Sequence, residues 1–492
     1  MKINKIEGAS WDSLFLTFAK AMTMIFGIVL SKILSTGLSL LEYGTYSQAN
    51  LITSVGTSAI LLGLPDAVNY YFNKKTNDSN DTRIRIINTV FFIEIVAGVI
   101  LAICIVAGTN IIELYFNNYS LHVLLPIVAV LPVLANLIYF YQMLYVASGK
   151  AKLMSIYNLV LMVMKIISAL MTVYVFHNIV WIYVVLLLLD LIQIVLFKLT
   201  LTKQDVRVTP LKFSANQIRP ILEYSLPMGV YALTSILNRD LDKLVIGRIA
   251  GTESLAIYTN CSKILPFDFL AVSFATVLIP YIVKYVTEEN KSQTIKLFSG
   301  YIKIGYYSVW ILGAAVLIAP STMIRFLYAE EYVAGLSIFI IYIFDSMLRF
   351  ASMHLILTAA NKTKHLMYYS LLALGLNLVL NIVFYHLWGM IGPAIATLIV
   401  SIVYTGLVLC KTIKTINIKW LDVFDVKEIG YLLATIAIFA TGAAWLNNIL
   451  VGLGVNQYLS MIVAMGVFGC IMLLLHAKKV FGVLKEINSF RL

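Results

Sequence analysis

Charge is scarce in this sequence. Of 492 residues only 12% are Asp, Glu, Lys or Arg, while 61% are hydrophobic. A soluble domain carries about 25% charged residues, so a water-soluble globule is excluded. Cysteine is scarce too. Cys104, Cys261, Cys410 and Cys470 all lie in apolar runs and none forms a CxxC pair, which argues against a disulfide framework or a cysteine metal site. The six histidines are scattered without metal-ligand spacing. No small-residue cleavage site follows Lys2 and Lys5, so the N-terminus does not read as a cleavable signal. No connection between apolar runs is long enough to hold a soluble domain.

What is present is apolar sequence in continuous runs near the ~20 residues that span a bilayer. The expected architecture is all-α integral membrane with fourteen spans. They cover roughly 13–35, 46–70, 85–108, 121–147, 153–175, 179–200, 221–247, 255–284, 299–320, 334–358, 365–386, 390–411, 427–447 and 457–477. One set of alternate connections is rich in Lys and Arg. It includes Lys2, Lys5, Lys74, Lys75, Lys150, Lys152, Lys203, Arg207, Lys362, Lys364, Lys478 and Lys479. The other set carries chiefly Glu42, Glu113, Glu253, Glu330 and Glu331. The positive-inside rule then places both termini in the cytoplasm. The net charge of +12 is a matter of topology and of anionic lipid headgroups, and no nucleic-acid partner is implied.

The chain repeats. Lys32 and Glu42 recur as Lys243 and Glu253 at an offset of 211, and Gly149-Lys150-Ala151-Lys152 recurs as Asn361-Lys362-Thr363-Lys364 at 212. A six-span unit is duplicated in one orientation, related by an axis along the membrane normal. This divides the chain into an N-lobe at 1–210, a C-lobe at 211–420 and two additional helices at 421–492. Repeat transporters hold their substrates between lobes near the midplane.

The densest anomaly is Asn238-Arg239-Asp240-Leu241-Asp242-Lys243 in the seventh span. Four charges facing lipid would cost about 10–14 kcal/mol at about 2.5–3.5 each. They must face one another, other helices or water, and intramembrane charge marks a candidate site. Arg239 and Lys243 share a helix face. Lys20 and Lys32 occupy the repeat-related first span. One reading is a cationic lining suited to a phosphate. In the other, Lys32 and Lys243 snorkel to the outer headgroups and Arg239 is neutralised by Asp242 or Asp240.

Lys165 on span five has Asp190 on span six as its structural partner. Lys263 and Asp268 on span eight read the same way, and Asp345 and Arg349 on span ten form an i,i+4 pair. Each cation is also a candidate lining residue. Asp190, Asp240, Asp242, Asp268 and Asp345 are candidates for ion coupling. Glu94 lies near the cytoplasmic end of span three, where water is expected to reach it. Pro126, Pro132, Pro227, Pro266 and Pro280 fall inside spans and mark candidate kinks.

These residues carry a resemblance. Ser31-Lys32-Ile33-Leu34, Leu41-Glu42-Tyr43-Gly44-Thr45-Tyr46 and Gly63-Leu64-Pro65-Asp66-Ala67-Val68-Asn69-Tyr70-Tyr71 resemble the opening of polysaccharide transport proteins, the Wzx-type oligosaccharide flippases. Asp242-Lys243-Leu244-Val245-Ile246-Gly247 is similar to that family's seventh span. Leu278-Ile279-Pro280, Asn377-Leu378-Val379-Leu380-Asn381 and Gly389-Met390-Ile391-Gly392-Pro393-Ala394 are similar to later ones. The family belongs with lipid II flippases and MATE drug exporters in the MOP superfamily, which implies a MATE-like fold of two six-helix lobes.

The resemblance implies export of an undecaprenyl-diphosphate-linked oligosaccharide, an O-antigen or capsule repeat unit, across a bacterial cytoplasmic membrane. The implied partners are that lipid, the surrounding membrane lipids, and polysaccharide polymerase and glycosyltransferases. No cofactor is implied, and proton or sodium coupling is left open. A lipid II flippase and a cation-coupled drug exporter are the rival transporters. An enzyme is disfavoured because no loop is long enough to carry a catalytic site.

Overall fold

A computed structural model describes residues 3–489 except 62, 66, 67, 69–79, 149, 203–207, 209–211, 264, 266, 268–277 and 280. The described elements are all helical. With no water in a bilayer, a helix satisfies its backbone polar groups internally. Ten of the described helices are long and apolar enough to cross a membrane. The described residues do not establish all fourteen expected spans: the tenth (334–358) leaves the helix at 349–354 and resumes at Leu355, and the second (46–70) and eighth (255–284) lie partly outside the described residues. The chain forms two compact units, Met1–Ala256 and Ile257–Leu492.

The first unit contains α1 (Ile3–Gly37), α2 (Leu40–Leu61), α3 (Asn80–Ala107), α4 (Thr109–Phe116), α5 (Leu121–Val128), α6 (Leu131–Ala147), α7 (Ala151–Met171), α8 (Val180–Thr202) and α9 (Ala215–Ile249). Helix α10 (Thr252–Cys261) straddles the unit boundary. The expected fourth span is broken into α5 and α6. Pro132 sits in the first turn of α6, where its missing N–H costs nothing, and Pro126 lies inside α5. Helix α2 packs against α6 and α9, and α3 packs against α6. Their core is aromatic: Phe91 lies 4.9 Å from Phe140, and Tyr145 lies 4.9 Å from Phe197. Val96, Val99, Ile103 and Val106 form an exposed apolar stripe on α3. Such a stripe suits lipid rather than water.

The second unit contains α11 (Lys291–Leu317), α12 (Pro320–Leu327), α13 (Leu336–Leu348), α14 (Leu355–Ala359), α15 (Thr363–Trp388), α16 (Ile391–Ile416), α17 (Trp420–Val423), α18 (Val426–Gly452) and α19 (Gln457–Ser489). Helices α15 and α16 form one hairpin and α18 and α19 another, and α11 packs against α13 and α19. The last hairpin is tied to α11 by polar contacts. Glu428 accepts from Lys303 Nζ at 2.7 Å and from the Tyr307 hydroxyl at 2.9 Å. The Tyr307 ring lies 5.3 Å from that of buried His476, whose Nε2 is 3.1 Å from Thr435 Oγ1.

Candidate functional site

The charged stretch of α9 closes on itself and on α2. Asp240 is buried, and its carboxylate accepts from three groups. Arg239 Nη2 donates to Oδ2 at 2.9 Å, Lys243 Nζ donates to Oδ1 at 2.9 Å, and the Ser54 hydroxyl donates to Oδ2 at 3.1 Å. Arg239 Nη2 also donates to Ser54 Oγ at 3.1 Å, and Nε–H points at Asp240 Oδ1 at 3.4 Å. The i,i+3 spacing puts Lys243 and Asp240 on one face of the helix. Lys243 Nζ also donates to the Arg239 carbonyl at 3.3 Å, and its side chain is only 14% exposed. Lys243 therefore turns back along α9 instead of snorkelling outward. Asp242, also buried, accepts the Lys243 backbone N–H at 2.8 Å.

This arrangement leaves a specific donor set. A guanidinium carries five N–H donors. Asp240 and Ser54 hold the Nε and Nη2 side of Arg239. The Nη1 hydrogens have no hydrogen-bond partner among the described residues, and the side chain is 54% exposed. Two cations share one carboxylate, so the cluster of Arg239, Lys243, Asp240 and Ser54 carries one net positive charge. A cation held in place from behind with its Nη1 amino group free is preorganised to donate to an anion's oxygens.

The other candidates resolve into separate pairs. Lys165 Nζ lies 3.5 Å from Asp190 Oδ1. Arg349 pairs with Asp345 one turn back on α13, and Asp345 Oδ1 is buried without a hydrogen-bond partner among the described residues. Lys32 is partly buried on α1. Lys263 follows the end of α10 outside any helix. Asp268 and the side chain of Lys20 lie outside the described residues, as do Pro266 and Pro280. Sequence reasoning missed Ser54 and the Lys303–Glu428 pair. It also misjudged Glu94, which is 1% exposed rather than wet.

The Lys165–Asp190 geometry makes a prediction. Lys165→Met should lower stability by about 1–3 kcal/mol, because it leaves a mostly buried carboxylate without its donor while the pair itself is part-exposed. The double variant Lys165→Met/Asp190→Leu should recover it, read by thermal unfolding in detergent. Continued transport by the double variant would identify a structural ion pair.

Membrane-length helices around internally paired charges define a multi-pass membrane protein. The fold is similar to a lipid II flippase, MurJ, in an inward closed conformation, with TM-score 0.69 and 15% identity over 94% of this chain and 98% of that one. It is similar to an inward-facing multidrug resistance MATE family transporter, with TM-score 0.65 and 13% identity over 80% of this chain and 94% of that one. A MOP superfamily transporter from Pyrococcus furiosus, described as having reversed binding-pocket polarity, matches with TM-score 0.58 and 12% identity over 82% of this chain and 94% of that one. No curated protein matches the chain by sequence. A family model of polysaccharide biosynthesis proteins matches residues 29–337. The chain belongs to that family, and its structural neighbours are MOP superfamily flippases and transporters rather than catalytic enzymes.

Proposed function

We propose that this protein is a flippase that carries an undecaprenyl-diphosphate-linked oligosaccharide from the cytoplasmic to the outer leaflet of a bacterial cytoplasmic membrane by alternating access. Both termini are cytoplasmic in this reading. The observation that carries it is the free Nη1 amino group of Arg239, a guanidinium held by Asp240 and Ser54 beside Lys243. A diphosphate carries the negative charge and several oxygens that can accept from those two N–H groups. Membership of a polysaccharide biosynthesis family supports the lipid-linked glycan as the diphosphate's source. Of the neighbours, the lipid II flippase supports a diphosphate lipid headgroup as cargo, and the MATE transporter supports the rocking cycle. The polymerase and glycosyltransferases of the same glycan are the expected functional partners.

The test is flipping of an undecaprenyl-diphosphate-linked oligosaccharide in proteoliposomes. A hydrogen bond to a charged group contributes about 1.5–3 kcal/mol, so Arg239→Ala should weaken transport about tenfold to a hundredfold. Arg239→Lys keeps the charge but loses the planar fork, and should fall between the two. Full activity in both variants would refute the diphosphate contact. Preference for lipid II over other diphosphate lipids would reassign the cargo. Efflux of organic cations without any effect on lipid transport would indicate a drug exporter instead.

A further inference from the structure

Glu94 sits ten residues into the apolar stretch Ile84–Ala107 of α3. It is 1% exposed, and neither carboxyl oxygen has a hydrogen-bond partner among the described residues. The face it occupies is settled by its neighbours. Phe91, one turn before it, packs against Phe140 and Tyr141 of α6 at 4.9 and 5.8 Å. Gly98, one turn after it, abuts Val133 of α6. Positions 91, 94 and 98 form one helical stripe, so Glu94 faces α6 at the level of Asn136 and Leu137.

That level is short of donors. The Asn136 amide nitrogen donates to the carbonyls of Thr57 and Pro132, each at 3.1 Å, and Asn136 Oδ1 is buried without a hydrogen-bond partner among the described residues. No described cation faces Glu94 from any element packed on α3. On α3 itself Arg85 is exposed near the far end. The titratable groups of α6 are Tyr139, Tyr141 and Tyr145. On α9, Arg219 and Glu223 are exposed and paired with each other at 2.8 Å, while Arg239 and Lys243 are held by Asp240 and Asp242 accepts from backbone. On α2, Glu42, Tyr43 and Tyr46 lie at the opposite end from Thr57. Glu113 of α4 is bonded to His122 of α5 at 2.7 Å, and Tyr115 of α4 lies against Arg248. Asp66 is outside the described residues. An ionised carboxylate with no donor is strongly disfavoured in such a place, whereas a protonated one brings the missing donor.

We infer that Glu94 is a proton-binding site whose proton is exchanged during the transport cycle. The step is a simple transfer: the carboxyl O–H bond breaks when water reaches α3, the proton passes to that water, and no electrons change hands. A chain of contacts runs from this level of α6 to the charged cluster on α9. Asn136 bonds the Thr57 carbonyl, and Thr57 is one turn along α2 from Ser54, which bonds Arg239 and Asp240. Gain or loss of the Glu94 proton changes the donor balance at that turn, and so links protonation to substrate binding. This link rests on the flippase reading, while the protonation site itself does not.

Infrared spectroscopy of the full-length protein in lipid should show the carbonyl band of a protonated carboxylic acid at neutral pH, lost in Glu94→Gln. Because glutamine mimics the neutral acid, E94Q should keep the wild-type melting temperature. In proteoliposomes carrying undecaprenyl-diphosphate-linked oligosaccharide, an imposed pH gradient should stimulate flipping by the wild type. E94Q should keep flipping at equal pH but lose the stimulation. A wild type without the band, a marked loss of melting temperature in E94Q, or gradient-driven flipping that persists in E94Q overturns the inference. A wild type that shows the band but flips nothing refutes the flippase reading and leaves the proton site standing.

Discussion

Asp240→Ala is expected to lower stability by about 3 kcal/mol and to abolish transport. Asp240 is the acceptor on which Arg239, Lys243 and Ser54 converge, and its side chain is 8% exposed. Removing one partner of a buried ion pair costs about 3–5 kcal/mol, because the remaining charge is left uncompensated. Lys243, at 14% exposure, bears most of that cost, while the half-exposed Arg239 can turn to water, so the lower end of the range applies. Transport fails for a separate reason. Without Asp240 the guanidinium loses the backing that aims its free Nη1 amino group, and preorganisation is what makes a charged site bind tightly. Asp240→Asn separates the two effects. It keeps an acceptor for Ser54 and Arg239 but removes the negative charge, which should bind undecaprenyl diphosphate more tightly and release it more slowly. Thermal unfolding in detergent and diphosphate binding would be measured side by side. Wild-type stability and transport in Asp240→Ala would show that Asp240 does not organise the cluster.

The sequence made depth legible but not azimuth. Apolar runs show where a helix crosses a membrane, and i,i+3 or i,i+4 spacing shows which charges share a face. The Asp345–Arg349 pair was readable from that spacing, the Lys165–Asp190 pair from two opposite charges at mid-depth in neighbouring spans, and Asp240 as a partner of Arg239 from adjacency in a charged stretch. The direction of a flexible side chain was not. Lys243, placed near a span end, could run outward or back, and the structure takes it back to Asp240. Ser54 had no signal at all: it is an uncharged hydroxyl 186 residues from Asp240. Glu94 was misjudged because nearness to a span end says nothing about which neighbour covers it, and here the aromatic core of α6 does. Lys303 and Glu428 could have been found as a charge inside span nine and another at the start of span thirteen.

Gly44→Ala is expected to destabilise the first unit even though alanine is the better helix former. Gly44 is buried in the first turns of α2, where an added Cβ would fall inside the contact distance of the Thr252 carbonyl group. The clash is with backbone, so no rotamer change relieves it. Thr252 cannot move freely either. It follows Gly251, whose φ of +89° favours glycine, and its hydroxyl accepts from Gln48 Nε2 at 3.0 Å. Gln48 Oε1 in turn accepts from Asn118 Nδ2 at 2.7 Å, and the same nitrogen donates to Thr45 Oγ1 at 2.9 Å. Opening the Gly44 contact would therefore strain a buried polar network as well. Replacing glycine by alanine inside a helix gains about 1 kcal/mol, while overpacking costs about 1–3 kcal/mol and more where the neighbour is rigid. Overpacking wins, for a net loss of about 2 kcal/mol. Gly44→Val adds two further methyls to the same clash and should leave little folded protein. Gly406→Ala is the control, since nothing lies within 4 Å of its would-be Cβ. It should gain up to the full helix-propensity term of about 1 kcal/mol. Melting temperatures that move in opposite directions for the two alanine variants bear this out, and equal shifts would show that α2 does not close on Thr252 as described.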